Sequence, residues 1–252
     1  MPRTILITGG TGKLGRSLVG HFLSTGDTVV ITARSDESLA RVVSEYGGSG
    51  KNLMGMKVDL TAPGSIPALC DQLDAEGIFP DCVINNARSI EYLKVEEDGC
   101  VSRENFSNEL LLDVIVPYEL TMAVVRQVGS RLTRVVNVGS QYGTVAANRH
   151  LYTDPDRQSP LHYGVAKAAL AHLTRELAVR LADKGIRVNC IAFGGVEGRV
   201  DAAFKERYAK LCPMGRMLRD DEVAGPVDML LSDSCSGITG HVLAVDGGWT
   251  IW

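Results

Sequence analysis

Short apolar runs rich in β-branched residues alternate along the chain with helix-length segments whose apolar positions recur every three to four residues. The runs are Thr4–Ile7, Thr28–Thr32, Leu53–Val58, Cys82–Ile84, Arg134–Val138, Arg187–Ala192 and Val242–Val245, each with the length and composition of a strand. Helical patterns lie between most of them, at Leu14–Ser24, Glu37–Glu45, Leu161–Ala182 and Asp221–Leu231. This alternation predicts a parallel sheet with helices on both faces. Right-handed crossovers then make it a doubly wound α/β fold of seven strands. Ligands of such sheets bind beyond the carboxyl ends of the strands, so the residues that follow each strand carry the chemistry. Nothing in 1–252 reads as a linker or an internal repeat, and one domain is expected.

Composition narrows the partners. Hydrophobic residues make up 45% of the chain, enough for a large core, yet no stretch approaches the roughly 18 unbroken apolar residues of a membrane helix. A formal net charge of -4 provides no basic field for nucleic acid, which leaves a small-molecule partner. The six cysteines stand singly, without metal or disulfide spacing, and no metal site is expected. The first strand begins almost at once, with no leader signature before it, so the cytoplasm is the expected location.

Thr8-Gly9-Gly10-Thr11-Gly12-Lys13-Leu14-Gly15 follows the first strand and opens the first helix. Glycines there let backbone approach a pyrophosphate, and the helix N-terminus offers free N–H groups to it. The plainer reading is a tight turn with no ligand. The context favours a dinucleotide, with Gly9, Thr11, Gly12, Lys13, Leu14 and Gly15 as its candidate contacts. The second strand ends in Ala33-Arg34-Ser35, without the carboxylate that would hold the ribose 2′-OH of NAD. Arg34 suits a 2′-phosphate, with Lys13 as a second cation, so NADP(H) is expected and NAD(H) is the alternative. Asp59 is a candidate acceptor for the adenine amino group; it can equally cap the turn Leu60-Thr61-Ala62-Pro63.

Tyr163 is the one tyrosine of seven with a lysine four residues on, Lys167. In a helix that spacing puts both on one face. A phenol, ordinarily near pKa 10, exchanges protons at neutral pH only if a nearby cation stabilises its phenolate, and Lys167 can supply that charge while reaching the nicotinamide ribose. Ser140 closes the fifth strand on the same edge, where its hydroxyl can hold a substrate oxygen. His162 adjoins Tyr163 but points away from it in a helix, and the other histidines lack metal-ligand spacing.

Taken together, the glycine-rich turn, Asn85-Asn86-Ala87, Ser140, Tyr163, Lys167, Arg187-Val188-Asn189 and Val245-Asp246-Gly247-Gly248 resemble the short-chain dehydrogenase/reductase family over essentially the whole chain. The resemblance implies a single Rossmann domain, and a cofactor site lined by Gly9, Gly15, Asp59, Leu60, Asn86, Ala87, Tyr163, Lys167, Gly194 and Val196. It implies a homo-oligomer, tetramer or dimer, and assigns Ser140, Tyr163 and Lys167 to catalysis. Asp113 stands where the family's fourth catalytic residue is usually asparagine. Lys13, Arg88 and Gly198 replace a glycine, a glycine and a threonine of the family pattern, and Phe193 stands where proline is usual. The Thr8–Gly15 spacing is similar to the nucleotide-sugar branch.

Ser140 and Tyr163 are 23 residues apart, and the polar stretch Asn148–Pro160 lies between them. With Gln141-Tyr142-Gly143 it resembles family members acting on sugars, polyols or nonulosonic acid precursors, and Arg149, His150 and Arg157 are candidates to meet hydroxyls or a carboxylate. A solvent loop of no consequence is the competing reading. The expected function is NADP(H)-linked hydride transfer on a polar, sugar-like substrate. A 3-oxoacyl-[acyl-carrier-protein] reductase and a non-catalytic NADP-sensing regulator are the alternatives.

Overall fold

Strands that are apolar at every position, rather than at every second one, must bury both faces. In the computed structural model, which describes residues 2–46, 52–198 and 200–252, the inner strands do so in one sheet whose edge strands, the third and seventh along the chain, are partly exposed. The strands are β1 (Thr4–Ile7), β2 (Thr28–Ala33), β3 (Leu53–Lys57), β4 (Cys82–Asn85), β5 (Arg134–Ser140), β6 (Arg187–Phe193) and β7 (Val242–Val245). Their order is β3-β2-β1-β4-β5-β6-β7, with every neighbouring pair parallel. The doubly wound seven-stranded fold expected from the alternation is the fold observed. The order reverses between β1 and β4, and a crevice opens there at the carboxyl edge.

The helices are α1 (Lys13–Ser24), α2 (Asp36–Tyr46), α3 (Ser65–Ala75), α4 (Arg103–Leu110), α5 (Val116–Arg126), α6 (Pro155–Gln158), α7 (Leu161–Arg180), α8 (Ala202–Leu211) and α9 (Ala224–Leu231). Side chains alternate along each strand, so the core splits in two. Ile5, Ile7, Val29 and Ile31 meet Leu18 and Phe22 of α1, Leu39 of α2 and Val227 of α9 on one face. Leu6, Val30, Val83, Val135 and Val188 meet Leu69 of α3, Leu120 of α5 and Leu177 of α7 on the other. A third cluster, Leu151, Tyr208, Cys212, Met217 and Trp249, lies outside both.

One departure from the sequence reading has a local cause. The helix expected from Asp221 begins at Ala224, because Pro226 has no N–H to give the Glu222 carbonyl and its ring crowds that group; a separate 3₁₀ turn spans Asp220–Glu222. The stretch Asn148–Pro160 is not a bare solvent loop. It holds a 3₁₀ turn, Arg149–Leu151, and α6, and it sinks Leu151 to 1% exposure in the third cluster.

One buried polar thread positions the elements at the carboxyl edge of the sheet. Asn85 Nδ2 donates to Asn137 Oδ1 (2.8 Å), Asn137 Nδ2 donates to Thr174 Oγ1 (2.9 Å), and Thr174 Oγ1 donates to Leu170 O (2.9 Å). It ties β4, β5 and α7 together through groups that would be costly to leave unpaired. Asn137→Ala should therefore lower the unfolding free energy in urea by about 2–4 kcal/mol, combining an orphaned donor with a cavity. A loss below about 0.5 kcal/mol, the usual scale of a surface substitution, would show that the thread does not hold the sheet to α7.

Candidate active site

The crevice is built from four strand ends. After β1, Gly9 adopts φ +65°, and a Cβ on it would stand 2.8 Å from the Ala87 Cα; one on Gly15 would stand 2.4 Å from the Gly9 carbonyl oxygen. Only glycine permits both the left-handed turn and this close packing. The turn delivers the chain into α1, whose N-cap, Gly12, provides no side-chain cap. The first-turn N–H groups, from Lys13, Leu14 and Gly15, thus lack intrahelical acceptors, which with the helix dipole makes an anion cradle. Thr8 and Asn86 stitch it to β4. The Thr8 hydroxyl accepts from Asn86 N (2.9 Å) and Ala87 N (3.0 Å), and Asn86 Nδ2 donates to Thr8 O (2.9 Å) and Gly9 O (3.2 Å). Thr8 was not singled out from sequence, because its role exists only where β1 and β4 meet.

At the end of β2, Arg34 is exposed and 3.5 Å from the Glu91 carboxylate. Lys13 pairs with Asp220 at 3.0 Å, and its ammonium stands 2.9 Å from where a Cβ of Gly198 would sit. Two departures from the family pattern, Lys13 and Gly198, are therefore spatial neighbours. Asp59 caps its own turn, accepting from Thr61 N (3.0 Å) and Thr61 Oγ1 (2.7 Å), while Leu60 is buried. Gly194 N donates to Val245 O (2.9 Å), and Val196 forms an isolated bridge with Leu218.

Ser140 is the last residue of β5, and its Oγ accepts from Tyr142 N (3.2 Å). The turn Gln141–Gly143 then lies directly on α7: a Cβ at Gly143 would come 2.8 Å from the Lys167 carbonyl oxygen. Backbone contact this close holds the Ser140 turn against the helical turn that carries Tyr163 and Lys167. The Lys167 ammonium is buried. It donates to Val138 O at 2.9 Å, lies 3.0 Å from Asp113 Oδ2, and stands 5.6 Å from the centre of the Tyr163 ring. Burial works against its charge, but Asp113 and Tyr163 outweigh that, and Lys167 titrates above an ordinary lysine.

Asp113 reaches the lysine because the helix is distorted around it. Leu111–Ile115 is a π-helical turn between α4 and α5, closed by Val116 N donating to Leu111 O. Pro117 cannot donate to the Asp113 carbonyl, which removes the bond an α-helix would need there. Such turns recur at functional sites. One turn earlier Glu109 is also buried, with both carboxylate oxygens lacking a hydrogen-bond partner. Burial, then the charge of Asp113, push its carboxyl up to about 7. Sequence reading missed Glu109, since a glutamate on a helix normally faces solvent.

Beside Tyr163, a cleft of about 820 Å³ is lined by Arg88, Tyr142, Tyr152, Tyr163 and parts of the Asn148–Pro160 stretch. Tyr142 and Tyr152 share a 2.8 Å hydroxyl hydrogen bond, and burial pushes both phenols up, so they stay neutral. Arg149 is bonded twice to Asp156, and Arg157 lies 3.7 Å from Asp154. His162 is buried and its Nε2 donates to Tyr92 O (2.7 Å), a structural tie between α7 and the segment after β4.

A family profile described as Enoyl-(Acyl carrier protein) reductase matches residues 12–250. The chain belongs to the short-chain dehydrogenase/reductase family. It is 32% identical to an uncharacterised short-chain type dehydrogenase/reductase of Sinorhizobium fredii across 98% of this chain and 43% of that one. It is 30% identical to the 3-oxoacyl-[acyl-carrier-protein] reductase of Escherichia coli across 96% and 95%. A short-chain dehydrogenase of Leptospira borgpetersenii solved with bound NAD+ superposes with TM-score 0.86 at 28% identity, covering 99% of this chain and 93% of that one. The protein is therefore an NAD(P)-dependent oxidoreductase of this family. No helix among the described residues is long and apolar enough to cross a membrane.

The Glu109 carboxyl leads to a pH prediction. Unfolded, it titrates near 4.5; folded, near 7. Between these values the folded state retains a proton that the unfolded state releases, so the Glu109 contribution is at its full value below 4.5 and declines as pH rises to about 7. The urea midpoint of Glu109→Gln should gain on that of the parent enzyme across this window and run parallel above it. A constant gap from pH 4 to 8 would contradict the shift.

Proposed function

We propose that the protein transfers hydride between NADP(H) and a carbonyl or alcohol carbon of a polar, sugar-like substrate. The observation that carries this reading is the Lys167 ammonium held between Val138 O and Asp113 and below the Tyr163 ring. A cation fixed there stabilises the Tyr163 phenolate, and Tyr163 then takes the hydroxyl proton during alcohol oxidation or returns it during carbonyl reduction. Ser140 holds the reacting oxygen, and Asp113 keeps Lys167 charged. The bound dinucleotide supplies the acceptor or donor of the hydride. Its diphosphate would rest on the Gly9–Gly15 turn, with Thr11, Leu60, Ala87, Gly194 and Val196 about it and Lys167 on the ribose.

NADP(H) is preferred in this reading because the nearest carboxylate after β2, Asp36, is held by Lys57 at 2.5 Å, leaving Arg34 for the 2′-phosphate. The exposed Arg34–Glu91 pair is weak and yields to a phosphate. A second reading, reduction of 3-oxoacyl thioesters, draws support from the 30% identity to the Escherichia coli reductase. Against docking of an acidic carrier protein, the arginines of the Asn148–Pro160 stretch, Arg149 and Arg157, already face Asp156 and Asp154. Exposed Leu161, Val165 and Val179 on α7 support a homo-oligomer, dimer or tetramer, which light scattering would measure.

Tyr163→Phe should reduce turnover by about 10²–10⁴-fold while leaving dinucleotide affinity within a factor of about two, as expected for loss of general acid–base catalysis alone. Retention of more than about a tenth of the rate, read at the nicotinamide absorbance over a panel of polyols, hydroxy acids and 3-oxoacyl thioesters, would remove Tyr163 from the reaction.

Arg34→Ala should weaken NADPH by about 1.5–3 kcal/mol, the scale of a charged hydrogen bond, and leave NADH nearly unchanged, whereas Glu91→Gln should tighten NADPH. Calorimetric titration that finds equal losses for both dinucleotides would overturn the preference.

A further inference from the structure

Arg88 follows Asn85-Asn86-Ala87 at the end of β4, and its guanidinium carbon lies 4.9 Å from the centre of the Tyr163 ring. Stacking uses the face of a guanidinium and fixes its plane, but leaves its edge N–H donors unspent. Among the described residues no carboxylate pairs with Arg88 and no side-chain hydrogen bond engages it, although it is exposed to the cleft. Three charged residues line that cleft, Arg88, Arg149 and Asp156. Arg149 and Asp156 cancel through a two-point contact of 2.8 and 3.3 Å. Deeper in, Lys167 is matched by Asp113 at 3.0 Å, and Glu109 holds its proton up to about pH 7. The cleft is thus left with one uncompensated cation, beside the residue proposed to exchange the proton.

We propose that Arg88 is an anion-recognition residue of the substrate cleft, and that the substrate carries a carboxylate or phosphate within a few bonds of the carbon that exchanges hydride. The proposal rests on the oxidoreductase reading and narrows it to short hydroxy or oxo acids and their phosphorylated counterparts. A fork of parallel N–H donors matches two anionic oxygens, and a plane held against Tyr163 would present them at a fixed position relative to the phenol oxygen. The dinucleotide diphosphate offers the same chemistry. The substrate is favoured because Arg88 shares its cleft with Tyr142, Tyr152 and the Asn148–Pro160 stretch, whereas the diphosphate cradle is the Gly9–Gly15 turn at α1.

The test is calorimetric binding of malonate, with malonamide as its neutral counterpart, to the NADP+-loaded enzyme and to its Arg88→Gln and Arg88→Lys variants. Dinucleotide affinity is measured separately for each. The parent enzyme should prefer malonate at least about tenfold, and Arg88→Gln should lose malonate affinity by about 10–100-fold, the equivalent of one charged hydrogen bond. Its NADP+ affinity should change by less than about twofold, and Arg88→Lys, which keeps the charge without the fork, should fall between. Two results would overturn the proposal: no preference for malonate over malonamide in the parent, or a loss of NADP+ affinity in Arg88→Gln that matches its loss of malonate. Should Arg88→Gln fail to fold by circular dichroism, a malonate affinity unchanged in Arg88→Lys would equally overturn it. The Tyr163→Phe enzyme, which should retain malonate binding, separates the two readings. Absence of turnover with every alcohol in the parent defeats the oxidoreductase reading while this binding stands or falls independently.

Discussion

A lysine side chain buried from water keeps its charge only if the fold arranges partners for it. The buried Lys167 ammonium imposes that requirement here, and much of the crevice meets it. The Val138 carbonyl takes one donor, and the Asp113 carboxylate takes the charge. Both partners are delivered by distant chain segments, so the end of β5, the first turns of α7 and the π-helical turn must converge to within hydrogen-bonding distance. The Asn85–Asn137–Thr174 thread secures β5 and α7 from below, and the Gly143 contact holds the Ser140 turn against α7. Removing the Asp113 carboxylate would leave a buried charge unpaired rather than merely loosen a surface.

Replacement of an amide by a carboxylate at position 113 changes the electrostatics of the pocket. An asparagine would leave Lys167 to be neutralised elsewhere; Asp113 neutralises it directly. The added negative charge then bears on Glu109, one turn away and buried without a partner, and that carboxyl responds by holding its proton into the neutral range. Lys167 and Asp113 therefore cancel, and with Glu109 holding its proton the three groups together carry close to no net charge. The cation left uncompensated is on the open side, at Arg88, over the Tyr163 ring.

The polar stretch between β5 and α7 shows how a segment can be hydrophilic in composition and still be anchored. Leu151 and Tyr152 pack into the third apolar cluster with Tyr208, Met217 and Trp249. The Tyr208 hydroxyl in turn accepts from Gly195 N at 2.8 Å and donates to Gln141 at 3.2 Å. The wall of the cleft is thereby coupled to the segments after β5 and β6. Two apolar residues among polar ones carry little periodic signal, so this anchorage depends on contacts with α8 and the C-terminal segment.

The sequence by itself determined the sheet and its covering, because near-continuous apolar runs alternating with amphipathic segments have few other ways to bury themselves. It also determined the strand-end positions of the glycine-rich turn, Ser140 and the Tyr163–Lys167 pair, since i, i+4 spacing and the turn chemistry of glycine are local properties. What local pattern does not contain is which charges meet. The pairings Lys167 with Asp113, Arg34 with Glu91 and Lys13 with Asp220 join residues 54, 57 and 207 positions apart, and the protonation of Glu109 follows first from its burial, which the chain pattern does not show. Charge pairing and desolvation are set by distances across the fold, and only the tertiary structure decides them.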